Sequence, residues 1–190
     1  NLEKYKVILA SGSPRRRELM AGLGVNYEVR ILPDVDESYP DTLQGEEIPL
    51  YIAKEKADAY IPMMQPDELI ITADTIVWLD GEVLGKPRDR EDALQMLRTM
   101  SGRTHEVFTG VCITTTDWQR SFTAQTEVRF ATLSEDEIIY YVDNFKPMDK
   151  AGAYGVQEWI GFIGVENISG SYYNIMGLPV QKLYRELLKV

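Results

Sequence analysis

Three segments carry residues whose type and spacing suit chemistry on a phosphate. The first is an acid directly after an apolar run, Leu69 to Ala73 and then Asp74-Thr75. Polar residues at the carboxyl end of a strand face the usual ligand crevice of an α/β sheet. An Asp there can hold a hard divalent cation and orient or deprotonate a water. Alone, it is more often a plain strand-end turn residue. The second is Ser11-Gly12-Ser13-Pro14-Arg15-Arg16. A helix N-terminus is electropositive and favours acids, yet this first turn holds arginines, a mismatch that an anion would relieve. A strand, a small-residue turn, a helix start and Arg donors together make a phosphate cradle, with Ser11 and Ser13 in the turn. The third is Gly81-Glu82-Val83-Leu84-Gly85-Lys86-Pro87. Only three residues separate its glycines and Pro follows Lys, so it is not the P-loop of nucleotide hydrolases. Lys86 can still reach a phosphate as a point charge.

Other segments could complete such a site. Asp34 to Glu37 is an acidic loop that, with Asp74, could offer oxygen ligands to Mg²⁺ or Mn²⁺. Lys54 and Lys56 are two apart on an expected helix, so at most one points inward. Ala151-Gly152-Ala153-Tyr154-Gly155-Val156-Gln157 and Ile168-Ser169-Gly170-Ser171-Tyr172-Tyr173-Asn174 are small-residue segments that suit close backbone approach to a ligand. Gln157 could pair its amide with the imide edge of a base. Trp159, Tyr172 and Tyr173 are more often packing residues than base platforms.

Elements must hold these residues in place. Val7 to Ala10 reads as a buried strand. Ser13 caps a helix with Pro14 at its first position, ended by Gly24 after Leu23. Tyr27 to Leu32 reads as a second strand and Ile48 to Tyr60 as a helix. Ile76 to Leu79 continues extended after Asp74-Thr75, and Asp80-Gly81 signals a hairpin. Asp89 caps a helix from Arg90 to Met100, stopped by Gly102. His105 to Thr116 and Ser121 to Leu133 form a long hairpin. Ser134 and Glu137 make a capping box for a helix to Asn144. Gly161 to Ile168 reads as a strand and Leu178 to Leu188 as a closing helix. Crossovers mixed with hairpins predict one α/β domain over residues 1–190, with a mixed sheet, flanking helices and a hairpin-rich portion.

Composition narrows the class. The 190 residues are 44% hydrophobic and 26% charged, ordinary for a globular chain that needs no staples. One Cys and one His exclude an internal disulfide framework and a closed zinc site. The net charge of −10 argues against a nucleic acid polymer as partner. Local basic groups in so acidic a protein suit a small anionic ligand. No apolar run approaches a membrane span, and no signal peptide is expected from the residues given. A cytoplasmic protein that engages no membrane is expected.

Six motifs in order resemble the Maf family of nucleoside triphosphate pyrophosphatases, once described as septum-formation inhibitors. They are Leu9-Ala10-Ser11-Gly12-Ser13-Pro14-Arg15-Arg16, Ala73-Asp74-Thr75, Gly85-Lys86-Pro87, Ser101-Gly102 with Thr104-His105, Ala151 to Gln157, and Gly170-Ser171-Tyr172 through Gly177-Leu178-Pro179. The resemblance implies a mixed twisted sheet with flanking helices, similar to inosine triphosphate pyrophosphatases, with two lobes around a cleft. It implies cleavage between the α- and β-phosphates and a divalent metal cofactor, Mg²⁺ or Mn²⁺. Asp74 matches the proton acceptor. Arg16, Lys56 and Lys86 match the other catalytic and phosphate-binding positions, and Glu37 joins Asp74 as metal ligand, with Asp36 as its neighbouring rival. Arg15, Thr75 and Gln157 match the positions that select dTTP and UTP. Gly85 departs from relatives that carry an acid before the Lys. The resemblance points to a homodimer, which no stripe in the sequence specifies. Two other readings stay open: a nucleotide-binding regulator of cell division with little turnover, and a purine-directed house-cleaning pyrophosphatase.

Overall fold

In the computed structural model, which describes residues 1–31 and 35–190, the first apolar run lies in β1 (Lys6–Leu9). There follow α1 (Pro14–Ala21), β2 (Glu28–Val29), α2 (Glu47–Tyr60), β3 (Glu68–Leu79), β4 (Glu82–Leu84), α3 (Arg90–Met100), β5 (Thr104–Thr114) and β6 (Gln119–Phe130). The chain ends with α4 (Glu135–Phe145), α5 (Trp159–Gly164), β7 (Val165–Ser169), α6 (Tyr172–Met176) and α7 (Val180–Leu187). Among the described residues seven strands form one mixed sheet, in the order β2-β1-β3-β5-β6-β7, with β4 paired to β3. β1 runs parallel to both β2 and β3, whereas β3–β4 and β6–β7 are antiparallel. The expected α/β class with a mixed sheet and flanking helices is what the chain adopts.

Two compact units divide the chain. One comprises Asn1–Asp74, Thr109–Ala124 and Gly177–Val190; the other comprises Thr75–Phe108 and Gln125–Met176.

The first unit is built on the parallel pair. Val7, Ile8 and Leu9 face Leu69, Ile70 and Ile71 in register, and all six are buried. Strands covered on both faces carry such unbroken aliphatic runs, and each side chain taken from water contributes about 1.5–3 kcal/mol. α2 lies against this unit through a stripe at helical spacing: Ile48, Ile52, Ala53, Ala57 and Tyr60. The small members let the helix approach closely. Ala53 and Ala57 pack on Cys112, and the Thr72 hydroxyl donates to the Ala53 carbonyl at 2.8 Å. A Cβ on Gly110 would lie 2.4 Å from the backbone nitrogen of Leu50, so only glycine fits beneath the first turn of α2.

The second unit is held by caps and a buried helix pair. Asp80 and Gly81 both have positive φ, as a two-residue hairpin turn between β3 and β4 requires. The Asp89 side chain accepts from the Asp92 amide at the start of α3, and Ser134 and Glu137 form the capping box of α4. Ala93, Leu94, Leu97 and Met100 of α3 and Ile138, Tyr141 and Val142 of α4 are buried, and the two helices pack on each other. Arg98–Glu135 and Arg90–Asp143 pairs lie at the exposed rim, where ion pairs contribute little.

Several expectations change. The strand that carries Asp74 does not end before it: β3 runs unbroken from Glu68 to Leu79. Residues 161–164, expected to start a strand, belong to the helix Trp159–Gly164, and only 165–169 are extended. A short apolar run fits either state by pattern alone. Here a Cβ on Gly161 would collide with the carbonyl of Val156 at 1.8 Å, a closeness that glycine permits and a branched strand residue would not. The second strand is two residues long, not Tyr27 to Leu32, and Leu32 lies outside the described residues. The first helix stops at Ala21 with Gly22 as its cap, while Gly24 makes the left-handed turn two residues later. The segment after Gly170 contains α6.

Candidate active site

The site in the first unit starts where β1 ends. Leu9 pairs with Ile71, and the Ala10 amide donates to the Ile71 carbonyl at 2.9 Å. β1 then turns away into Ser11–Pro14, while β3 continues through Asp74. Asp74 therefore sits mid-strand but three residues beyond the pairing of its neighbour.

Both turn serines are used in shaping the helix start. Ser11 Oγ accepts from the Ser13 amide at 3.1 Å, and Ser13 Oγ caps α1 by accepting from the Arg16 amide at 3.3 Å. Pro14 occupies the first helical position, and no acid stands in the first turn. Arg16 folds back so that its Nε donates to the carbonyl of Gly177 at 2.7 Å. Gly177 has φ of +115°, and a Cβ there would press on the Arg16 side chain at 3.4 Å. Glycine thus presents its carbonyl to the arginine at no steric cost. Burial pushes the Arg16 guanidinium below its ordinary value. Asp74 and Glu37 oppose that shift, and Arg15 adds to it.

Lys56 supplies the second cation. It lies on the inward stripe of α2, one turn after Ile52, and its side chain is 17% exposed, while Lys54 points to solvent. Its Nζ donates to the Ala73 carbonyl at 2.9 Å and lies 3.4 Å from both Asp74 Oδ1 and Glu37 Oε1. One ammonium is thus shared by two carboxylates. Asp36 turns elsewhere, accepting from the Ser38 amide at 2.9 Å in an exposed loop. Asp34 lies outside the described residues. Burial is the largest influence on Asp74 and raises its carboxyl above the usual range. Lys56 and Arg16 pull it down, and Glu37 adds to the rise.

The second unit assembles the other sequence candidates. Thr75 follows Asp74 on β3, and Lys86 lies just past β4. The Gly152 amide donates to the Gly85 carbonyl at 3.1 Å, so the Ala151–Gln157 segment is tied to the residue before Lys86. Lys86 and Gln157 are both exposed. The glycines of this segment make close internal contacts. A Cβ on Gly152 would meet the Val77 side chain at 2.9 Å, and one on Gly155 would meet Glu158 Oε1 at 2.6 Å. Trp159 packs edge-on against Tyr140, whereas Tyr172 and Tyr173 are half-exposed.

Four contacts escaped sequence reasoning. Two are backbone carbonyls, of Ala73 and Gly177, which no side-chain motif advertises. The third is His105 Nε2 at 2.6 Å from the Tyr154 hydroxyl, with both rings edge-on to Phe130. The fourth is Tyr141, whose hydroxyl meets Gly155 and Glu158. His105 and Tyr154 each fall within a quoted motif, so their pairing was the one available signal.

Among the described residues no three His, Cys, Asp or Glu side chains converge as a metal cage. Two carboxylates on one ammonium do suit a hard divalent cation. Mg²⁺ takes one or two protein carboxylates and completes its shell with water and substrate phosphates.

A profile of the Maf-like protein family matches residues 6–190. The dTTP/UTP pyrophosphatase of Bacteroides thetaiotaomicron is 72% identical over 190 residues, covering 100% of this chain and 98% of that protein. The dTTP/UTP pyrophosphatase of Bacteroides fragilis strain YCH46 is 71% identical over 187 residues, covering 98% and 97%. That of Porphyromonas gingivalis strain W83 is 54% identical over 189 residues, covering 98% and 95%. Among solved structures, the Ham1 protein of Staphylococcus aureus aligns with a TM-score of 0.59 at 15% identity over 97% of this chain and 98% of that one. A HAM1 protein from Coxiella burnetii aligns with a TM-score of 0.53 at 14% identity, covering 98% and 100%. At such identities the likeness speaks for the fold.

Proposed function

The chain belongs to the Maf-like protein family, and from that premise we propose that it hydrolyses nucleoside triphosphates, dTTP and UTP foremost, to the monophosphate and pyrophosphate. The observation that carries this reading is the mostly buried Asp74 carboxylate, paired with Lys56 and under the charge of Arg16 from the first turn of α1. Relatives more than 70% identical over nearly the whole chain bear the matching name.

The proposed reaction is an in-line displacement at the α-phosphorus. A triphosphate is strongly anionic, and Arg16, Lys56, Lys86 and the amides at the start of α1 are the groups that hold it. Ser11 and Ser13 contribute by fixing those amides in place. Asp74 orients a water and takes its proton as the oxygen attacks. The bond from the α-phosphorus to the bridging oxygen breaks, and pyrophosphate leaves with the electron pair. Glu37 and Asp74 would hold a divalent cation, Mg²⁺ or Mn²⁺, which supplies charge neutralisation on the phosphate oxygens. Lys56 holds these two carboxylates on one side chain, 3.4 Å from each.

Arg15, Thr75 and Gln157 are the proposed readers of the base. Uracil and thymine offer acceptor, donor, acceptor along one edge. A Gln amide meets two adjacent members of that set, and a mismatched base would leave the amide unpaired. The test is a hydrolysis panel over the common ribo- and deoxyribonucleoside triphosphates with Mg²⁺ or Mn²⁺, both products identified by chromatography. UMP or dTMP with pyrophosphate, and slow purines, is the expected result. Purine turnover would remove the specificity assignment. No turnover by folded protein would overturn the enzyme reading in favour of a nucleotide-binding regulator.

A further inference from the structure

We propose that Tyr141 and Glu158 are positioning residues that set base selectivity, by clamping the loop that carries Gln157 and buttresses Lys86. The proposal rests on the base-reading role of Gln157 given above.

The loop from Lys150 to Glu158 needs external support. Gly152 and Ala153 both have positive φ, +69° and +60°. Ala153 is a non-glycine residue in the left-handed region, a conformation that persists only when its surroundings impose it. Residues 152–156 are nonetheless buried in an unbroken row, and Gln157 emerges exposed directly after them. A side chain on an exposed loop position is aimed only as well as the backbone beneath it is held.

The phenol of Tyr141 provides that hold from α4. Its hydroxyl accepts from the Gly155 amide at 2.9 Å and donates to Glu158 Oε1 at 2.7 Å. One oxygen thus pins a residue on each side of Gln157. Tyr141 is fully buried and its ring stacks on Phe145 at 5.2 Å, so the phenol is itself fixed. Burial and the Glu158 carboxylate raise its pKa, so it remains a donor throughout the assay range. Lys150 Nζ lies 3.8 Å from Glu158 Oε1 and closes the loop at its base. A Cβ on Gly155 would lie 2.6 Å from Glu158 Oε1 and 2.9 Å from Lys150 Cε, so the clamp requires glycine at its centre. The bond from the Gly152 amide to the Gly85 carbonyl carries the same support to the residue before Lys86.

The test compares kcat/KM for UTP, dTTP, CTP and ATP in the full chain and five variants. Tyr141→Phe removes both hydroxyl contacts but keeps the ring. Glu158→Ala acts at a more exposed position and serves should the first variant not fold. Each is expected to narrow the UTP-to-ATP ratio on the order of tenfold, as an unaimed polar group discriminates poorly. Glu158→Gln keeps an oxygen that accepts from the phenol and is expected to retain the ratio. Leu97→Ala, in the buried face of α3, is a destabilised control expected to lower Tm with the ratio unchanged. Lower Tm with an unchanged ratio in both Tyr141→Phe and Glu158→Ala would overturn the proposal. Gln157→Ala in the same panel separates the two failures. If it narrows the ratio and the clamp variants do not, the clamp is refuted while the base-reading role stands. If it leaves the ratio intact, both fall.

Discussion

The Lys56 ammonium lies 3.4 Å from Asp74 Oδ1 and donates to the carbonyl of Ala73, one residue earlier, at 2.9 Å. The lysine thus fixes the strand backbone and the carboxylate together. Even so, burial keeps the Asp74 carboxyl above its ordinary pKa. The folded state therefore retains that proton to higher pH than the unfolded chain does. Stability is lost as pH rises from the usual carboxylate range through the raised value. The charge is kept for chemistry at a cost in stability.

Asp74→Asn tests this opposition directly. The amide mimics the protonated acid, so Tm at pH 7 is expected to rise above that of the parent. Turnover is expected to fall by about 10²–10⁴, the usual contribution of a positioned general base. Calorimetry and a single-substrate rate assay on the same preparation decide the matter. Near-normal turnover would remove Asp74 from the proton-accepting role.

Lys56→Gln is expected to move the acid limb of kcat/KM upward. Without the ammonium, Glu37 and Asp74 keep their mutual repulsion and lose the lysine they share, and like charges raise carboxyl pKa values. The free-enzyme pKa of the essential base appears in that limb. A pH–rate profile with an unmoved limb would show that Arg16 alone governs the ionisation of Asp74.

How much of this was legible in the sequence depended on the range of the signal. Local signals were readable: the caps at Ser13, Asp89 and Ser134, the Asp80-Gly81 turn, and the small-residue entry to α1 all stand where their residue types put them. Helix spacing limits Lys54 and Lys56 to one inward side chain, and the structure turns in Lys56, one turn after Ile52. The end of β3 was misread because Asp74 and Thr75 interrupt the hydrophobic run without interrupting the strand. That is settled by pairing with other strands, not by local pattern. The helix at 159–164 was misread because an apolar run with glycines has no decisive period. The Gly177 carbonyl beneath Arg16 and the Tyr141 phenol beneath the Gln157 loop depend on contacts between distant segments, which no single-sequence pattern encodes.

Gly110→Ala tests whether the placement of Lys56 depends on helix packing. The added methyl would lie 2.4–2.6 Å from the backbone of Pro49 and Leu50, atoms that cannot swing aside as a side chain can. α2 must move outward to admit it. Overpacking costs about 1–3 kcal/mol, and a backbone collision belongs at the upper end. The expected outcome is a lower Tm together with a reduced kcat/KM at temperatures where the variant is fully folded, because Lys56 travels with the helix. A variant that loses Tm but keeps kcat/KM would show that the N-terminal turn of α2 yields without shifting its centre.

His105 should make the second unit acid-sensitive. Its ring is 1% exposed, its Nε2 is committed to the Tyr154 hydroxyl, and its Nδ1 has no partner among the described residues. Burial holds its pKa down at about 4, against an ordinary 6.5. The unfolded chain therefore binds a proton between these values that the folded chain refuses. Unfolding free energy is fully retained above pH 6.5 and falls as pH drops toward 4, by at most about 3 kcal/mol from this group. Replacing the ring removes the proton but also the Tyr154 contact, so absolute stability is not the informative quantity. The slope is: His105→Gln is expected to be less stable at pH 7 yet to lose less on acidification, and urea titrations at pH 7, 6, 5 and 4 read both. Parallel slopes for parent and variant would mean that the buried imidazole accepts its proton as readily as the unfolded one. In that case Tyr154, and the loop it anchors, would not depend on a neutral His105.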